Sequence, residues 1–173
     1  MVAKKVQDAF NTQIGEEMES AYLYLSMAAW FESRGLDGMA HWMKAQAIEE
    51  IMHAMRFFVH LGSRGAKVAL PALKKPEGEW ASPLAAFKAA YAHEQYITGK
   101  INALVDLATA ERDHAANMML QWFVNEQIEE EQQTLKVAET LSLLGESGDG
   151  LLLLDRELGT RPMPVTLPAA APA

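Results

Sequence analysis

The sequence contains no cysteine and has fewer basic than acidic residues. Without cysteine, the chain cannot form disulfides, thiolate zinc sites or iron–sulfur clusters, and it has no cysteine nucleophile. Its 15 Lys and Arg are outnumbered by 23 Asp and Glu, which gives a formal net charge of −8. Nucleic acid is therefore not expected as a partner, because phosphate binding requires clustered basic side chains. An acidic protein is better suited to cations.

Long apolar runs are also missing. No stretch approaches the about 18 uninterrupted apolar residues that indicate a membrane span. The N-terminal segment has no apolar core of a secretion signal, and it leads directly into an amphipathic pattern. We therefore expect no membrane association and a cytoplasmic location. The 173 residues are enough for one well-filled core.

Four long amphipathic segments, separated by Gly and Pro, predict an all-α protein in which strand patterns are essentially absent. Asp37 is a plausible N-cap for the second helix, and Ser82 followed by Pro83 suits the start of the third. Only the connection between helices two and three is long, so the predicted fold is the four-helix bundle with one crossover that includes ferritin-like folds. The expected helices span about residues 5–33, 38–63, 83–112 and 114–144, with the crossover at 66–82.

The C-terminal region differs in composition from the four long segments. A short apolar run at residues 151–158 predicts a small fifth helix. Residues 161–173 are rich in Pro and Ala and predict an extended, mobile tail. We therefore expect one domain over residues 1–160, followed by the tail at 161–173.

Each long helix interrupts its apolar stripe with acidic, amide or imidazole side chains near its middle. The interrupting Glu of each of the first three helices lies about twelve residues past the helix start, or roughly 18 Å along the axis. Bundled helices of similar length should therefore bring these groups to one level. Buried unpaired carboxylates each cost several kcal/mol to desolvate, and no core Lys or Arg lies nearby, so bound cations are the expected compensation. The interrupting residues are Glu17, Glu50, His53, Glu94, Gln127 and Glu130.

The ligand types indicate which metal is bound. Carboxylate oxygens with one imidazole suit iron or manganese, although zinc can compete. Glu50 and His53 are three residues apart on one helix and point the same way, as in the Glu-x-x-His motif of di-iron bundles. Helix four carries Gln127 and Glu130 at the same spacing. The two metal positions should therefore differ, one with a nitrogen ligand and one with oxygen ligands alone.

Two further features have alternative interpretations. Tyr24 lies on the same face as Glu17 and fits either a core residue or a one-electron donor to the metals. Glu49, Glu126 and Glu129 lie beside the ligand register. They fit either a solvated acidic helix face or one edge of the metal site.

Together with these positions, three short motifs make residues 6–158 similar to prokaryotic non-haem ferritins. The motifs are Ala92-His-Glu-Gln95, Leu120-Gln-Trp-Phe123 and Asn125-Glu-Gln127. The resemblance implies a homo-oligomeric shell of 24 subunits that oxidises ferrous iron with O₂ or H₂O₂ and stores ferric oxyhydroxide mineral. It implies that iron binds at two ferroxidase positions in each subunit.

The resemblance also implies a role for each candidate residue. Glu17, Glu50 and His53 would hold the first iron, and Glu50 would bridge to the second. The second iron would be held by Glu94 and Glu130, with Gln127 alongside. A third iron position would be formed by Glu49, Glu126 and Glu129, and Tyr24 would be the redox tyrosine. Haem is not expected, because bacterioferritins carry a Met directly after the bridging Glu, where this chain has Ile51.

Two functions from other classes remain open on the sequence. One is a di-iron oxidase acting on an organic substrate, which would need a cavity beside the metals and an electron-delivery partner. The other is a structural bundle whose carboxylates bind adventitious zinc.

Overall fold

The computed structural model describes residues 2–145 and 147–165, and these ranges contain five α-helices and no strand. The predicted all-α class is thereby confirmed for the described part of the chain. None of these helices is both long and apolar enough to cross a membrane. The helices are α1 (Lys4–Glu32), α2 (Asp37–Ser63), α3 (Pro83–Ala110), α4 (His114–Leu144) and α5 (Gly148–Leu158).

Local signals account for most helix ends. Gly35 follows α1 with φ +69°, a left-handed conformation that a residue without Cβ adopts readily. Ser82 caps α3 as predicted, because its hydroxyl accepts from the Ala85 N–H at 3.1 Å. Asp113 caps α4 in the same way through Ala116.

Two predicted helix starts were wrong. Asp37 is the first residue of α2 rather than its cap, and the helix makes no side-chain cap bond from Leu36 before it. The free N–H groups of this turn bond to a side chain of α5 instead. Helix α5 itself begins at Gly148, before the expected residue 151, because the Ser147 hydroxyl accepts from Gly150 N–H and starts the helix ahead of the apolar run.

The bundle has the predicted connectivity. Trp42 near the start of α2 packs on Phe87 near the start of α3, with ring centroids 5.4 Å apart. Arg64, just after α2, pairs with Asp113, just after α3, at 2.8 Å. The starts of α2 and α3 contact each other, and so do their ends, so the two helices run parallel. The connection between them must therefore travel the length of the bundle.

The crossover runs along α1 and is tied to it at successive points. The Asn11 side chain bonds to both Lys67 and Ala69, and the Ser26 hydroxyl donates to the Glu77 carbonyl at 2.7 Å. Between these two ties the crossover passes close to Gly15. A Cβ added at Gly15 would lie 2.3 Å from the Pro71 ring, so only glycine allows this approach.

The core consists of two apolar clusters with a polar layer between them. The tryptophan cluster lies toward α5 and includes Trp30, Phe31, Met39, Trp42, Phe87 and Leu154. The phenylalanine cluster lies toward the other end and includes Phe10, Phe57, Leu61, Ile101, Leu120 and Phe123. The side chains of the predicted metal site lie between them.

Helix α5 is fixed to the bundle by its apolar face and by one carboxylate. Leu154 and Leu158 are buried in the tryptophan cluster. The Asp155 carboxylate accepts from the N–H groups of Gly38 and Met39 at 3.2 and 2.8 Å, and so caps α2 from a distant part of the chain. Of the predicted tail, Arg161 contacts α2, whereas residues 166–173 lie outside the described residues.

Candidate metal centre

The structure brings all six predicted core-breaking side chains into the polar layer. Each is at most 3% exposed, although each carries a charged or polar group. They come from four different helices, as their similar depths along those helices predicted. The layer contains Glu17 from α1, Glu50 and His53 from α2, Glu94 from α3, and Gln127 and Glu130 from α4.

One side of the layer has the geometry of a metal position. Glu17, Glu50 and His53 each offer one ligand atom, and these atoms lie within 4.8 Å of one another. The Oε2 atom of Glu17 is buried and makes no hydrogen bond. A buried carboxylate oxygen without a partner is costly, and a bound cation would satisfy it. This side therefore fits a divalent cation.

The other side contains Glu94, Gln127 and Glu130. The Gln127 amide donates to the carbonyl and to the Oε2 of Glu94, at 3.3 and 3.4 Å, so it orients that carboxylate. Thr134 donates to the Glu130 carbonyl at 2.7 Å. The carboxylates of Glu94 and Glu130 on this side offer oxygen ligands. A second metal position with oxygen ligands alone stays a prediction.

Tyr24 belongs to the site and not only to the core. It is fully buried, and its hydroxyl donates a hydrogen bond to Glu94 Oε1. Burial, together with the charge of Glu94, raises the pKa of the Tyr24 phenol well above its usual value. The tyrosine therefore stays protonated and supplies a donor to one acid of the layer.

Two glutamines that were given no role from the sequence support the acids. Gln13 donates to Glu17 Oε1 at 3.0 Å. Gln46 donates to Glu130 Oε2 at 2.5 Å and to Glu50 Oε1 at 3.3 Å, so it links the two sides of the layer. In both α1 and α2 a Gln precedes the Glu by four residues, one helical turn, and this repeated spacing was the signal available in the sequence.

Burial of like charges shifts the acids toward their protonated forms. Burial, and then the charge of Glu50, raises the pKa of Glu17 to about 8. Burial, and then the charge of Glu94, raises the pKa of Glu130 to about 8. The pKa values of Glu50 and Glu94 are also raised well above the usual range, chiefly by burial. We therefore expect the acids to hold protons in the absence of metal, and bound cations to displace them.

The three acids beside the layer are not equivalent. Glu126 offers a ligand atom within 4.8 Å of atoms from His53 and Glu130. Glu49 forms an ion pair with Arg161. Glu129 is exposed and belongs to neither group of metal-ligating side chains found in the described ranges. A third metal position that uses all three acids stays a prediction.

An open groove reaches the layer between α2 and α4. It has a volume of about 750 Å³, and its walls include Met52, Met55 and Trp122. The guanidinium of Arg56 stacks on Trp122, 3.6 Å from the ring centroid. His53, Glu49 and Glu126 lie along the same groove, so it connects the polar layer to the surface of the bundle.

The sequence matches the family model described as the Ferritin-like domain over residues 7–144. Curated relatives include a bacterial non-heme ferritin of Campylobacter jejuni, 39% identical, with 90% of this chain and 93% of the relative covered. A probable bacterial non-heme ferritin-like protein of Haemophilus influenzae is 37% identical, with 92% and 96% covered.

The fold is similar to that of solved structures as well. An open pore ferritin from the hyperthermophilic archaeon Archaeoglobus fulgidus superposes with a TM-score of 0.93 at 48% sequence identity. The match covers 94% of this chain and 100% of the archaeal one. Since the fold, the family model and the curated relatives agree, the predicted ferritin-like fold is confirmed.

Proposed function

The chain belongs to the ferritin family, and from this premise we propose that it oxidises ferrous iron at a dinuclear centre within each bundle. The ferric product is then stored as an oxyhydroxide mineral inside a hollow homo-oligomeric shell, for which the family resemblance implies 24 subunits. Ferrous iron is the substrate, and O₂ or H₂O₂ is the oxidant.

The polar layer is the observation that carries this proposal. Four carboxylates and one imidazole are buried there, and no Lys or Arg of the described residues forms an ion pair with any of the four acids. One oxygen of Glu17 has no partner at all. Two divalent cations would supply the missing positive charge and the missing partner, and carboxylate with imidazole is a ligand set that suits iron.

The proposed reaction requires two electrons from two ferrous ions. If O₂ is the oxidant, it takes up both electrons and two protons and leaves as H₂O₂. If H₂O₂ is the oxidant, the same two electrons and two protons convert it to two waters. Glu17, Glu50 and His53 bind one ion, Glu94, Gln127 and Glu130 surround the other, and Glu50 bridges the two.

Tyr24 is proposed as a one-electron donor beside this pair. Together with the two ions of the pair and a third ferrous ion, its electron would make up the four that, with four protons, reduce O₂ to two waters. Its hydroxyl already donates to Glu94, so loss of an electron from the phenol can be accompanied by transfer of its proton to that carboxylate. Replacing Tyr24 with Phe would test this role by removing the donor while preserving most of the buried ring.

Ferric iron leaving the pair is proposed to pass a third position formed by Glu49, Glu126 and Glu129. Replacing all three with Gln should preserve the first rapid oxidation and change later turnovers or the ratio of iron oxidised to oxygen consumed. Identical kinetics over repeated iron additions would favour a solvated acidic face instead.

Assembly into a shell is supported by α5. Its Leu152 and Leu153 are 54% and 66% exposed, an apolar surface that a partner subunit would cover. Deleting residues 148–158 should therefore change the particle size measured by light scattering. An unchanged size would place α5 outside the contacts between subunits.

Anaerobic titration with ferrous iron tests the dinuclear centre directly. We expect a binding step at two ions per subunit, with the position that contains His53 filled first. His53→Ala should remove part of this step. His60→Ala is the matched control, because His60 lies two turns further along α2 and packs on Phe10, with ring centroids 5.6 Å apart, rather than in the layer. A step that is unchanged in His53→Ala would contradict the ligand assignment.

A di-iron oxidase acting on an organic substrate is the second candidate, and the groove beside His53 is the observation that favours it. The two functions differ in their product. Aerobic addition of excess ferrous salt should give a soluble, rust-coloured particle of shell size for a ferritin. An oxidase would bind two ions without accumulating mineral.

A further inference from the structure

Arg161 follows α5 and extends from the C-terminal segment onto α2. Its side chain is 13% exposed. Its guanidinium stacks on Trp42, 4.4 Å from the ring centroid, and its carbonyl accepts from His41 Nε2 at 2.8 Å. The position of the segment is set upstream, where Asp155 caps α2. Arg161 is therefore held in place by its backbone, by stacking and by the docking of α5.

The two terminal nitrogens of the Arg161 guanidinium bond to two different side chains of α2. Nη1 donates to Gln46 Oε1 at 2.9 Å, and Nη2 pairs with Glu49 Oε2. Because Gln46 accepts from Arg161 through its oxygen, its amide nitrogen faces Glu50 and Glu130. The planar fork of an arginine suits this double contact, and a lysine cannot reproduce it.

In the proposed third position, Glu49 would be one of the ligands of a metal ion beside the dinuclear centre. The charge of Glu126 acts on it, and Glu126 itself offers an atom close to His53 and Glu130. A cation that binds between Glu49 and Glu126 would have to take one carboxylate from a partly buried guanidinium. The fixed charge of Arg161 also repels a cation at this place.

We propose that Arg161 lowers the metal affinity of this position, because its guanidinium occupies Glu49 and must be displaced before a metal ion binds there. The inference rests on the proposed function, since it concerns a third ion beside the dinuclear pair. In the resting protein the third position is closed by a cation of the chain itself. A metal ion opens it only by breaking an ion pair and a stacked contact, so this ion binds more weakly than the other two.

Anaerobic calorimetric titration of the whole protein with Zn²⁺ tests this role without any redox step. Wild type should bind two ions tightly and a third weakly. In Arg161→Ala the third ion should bind about tenfold more tightly, the change expected when one charge-assisted pair no longer has to be broken. Arg161→Lys should give an intermediate affinity, because it keeps the charge but not the fork.

Two further variants separate competition for Glu49 from a general structural effect. In the double variant Arg161→Ala, Glu49→Gln, the gain in affinity for the third ion should disappear, because the carboxylate for which Arg161 competes is absent. Arg34→Ala is the matched control. Arg34 also stacks on a Trp, 3.8 Å from the Trp30 ring centroid, and pairs with Glu79, far from the layer. It should leave the third step unchanged.

The outcomes distinguish this inference from the proposed function. If wild type shows the two-ion step but Arg161→Ala leaves the third affinity unchanged or weakens it, the role of Arg161 is wrong and the dinuclear centre stands. A gain that persists with Glu49→Gln would also overturn it. If Arg161→Ala lowers the melting temperature without changing the affinity for the third ion, Arg161 has only a structural role. Absence of the two-ion step in wild type would overturn both proposals.

Discussion

The polar layer and the phenylalanine cluster lie next to each other in one bundle and are buried to nearly the same extent. Phe57 and Phe123 stack with centroids 4.4 Å apart and are fully buried, one turn or so from His53 and Gln127. Burial stabilises the two rings because it removes apolar surface from water. Burial disfavours the charged forms of the acids in the layer and thereby raises the pKa values of Glu17 and Glu130.

The comparison separates what holds the bundle together from what the bundle is used for. The two apolar clusters lie on either side of the layer and supply the packing that keeps four acids at one level. We expect the layer to destabilise the metal-free protein and to become favourable when cations bind. Substitutions in the two regions should therefore have opposite effects on stability and on iron chemistry.

The largest expected effect comes from Glu50, which pairs with His53 and shares the Gln46 amide with Glu130 on the other side of the layer. Glu50→Ala should slow rapid ferrous oxidation by more than about a hundredfold, because loss of a bridging ligand should cost more than loss of an outer-shell partner. Stopped-flow absorbance after mixing with ferrous iron measures this rate. Glu50→Gln, which keeps the shape, should leave the metal-free bundle at least as stable as wild type. A normal rate of ferrous oxidation in Glu50→Ala would contradict the proposal that Glu50 bridges the two ions.

Phe57→Ala should give the reverse pattern. Truncating this buried ring should lower the free energy of unfolding by about 3–5 kcal/mol, through lost burial and the cavity that remains. Denaturant unfolding of the metal-free protein measures the loss. Iron binding by the folded fraction should keep its two-ion step. A loss below about 1 kcal/mol would show that the cluster does not carry the stability assigned to it.

The pH dependence of stability should differ between the empty and the metal-filled layer. The folded-state pKa values of Glu17 and Glu130 are about 8, above the ordinary 4.5. Their protonated forms therefore contribute stability in full below about pH 4.5, and this contribution is lost as the pH rises through about 8. The metal-free protein should melt at a lower temperature at pH 9 than at pH 6.

Two comparisons sharpen this prediction. Glu17→Gln should reduce the slope of melting temperature against pH, because one titrating acid is removed from the layer. Zn²⁺ binding at pH 7 should release protons, which a pH-stat titration measures directly. A metal-free protein that becomes more stable between pH 6 and pH 9 would contradict the raised pKa values.

The smallest effect concerns the tryptophan cluster and the attachment of α5. A Cβ added at Gly38 would lie 1.7 Å from the Asp155 carbonyl oxygen, so Gly38→Ala must push α5 away from α2. The cost should be about 1–3 kcal/mol, measured by denaturant unfolding. Gly62→Ala in the same helix is the control. It meets nothing within 4 Å and should be neutral or stabilise the helix by up to about 1 kcal/mol. Equal effects would contradict the close contact.

The sequence by itself determined the bundle and the six side chains of its polar layer. Hydrophobic periodicity states which face of a helix is buried, so a Glu on that face is visible without a structure. Comparable depth along each helix then predicts that Glu17, Glu50 and Glu94 meet. The cap residue Ser82 is equally local, and it was predicted correctly for the same reason.

Only the tertiary structure decided the contacts made between distant parts of the chain. Asp155 caps α2 across 116 residues, and Arg161 reaches Glu49 across 112. Neither contact leaves a periodic or local signature, because each depends on where α5 docks after the bundle has formed. The same docking decides that Glu49 faces a guanidinium. Local patterns determine which side chains are buried, and long-range packing determines which partners they find there.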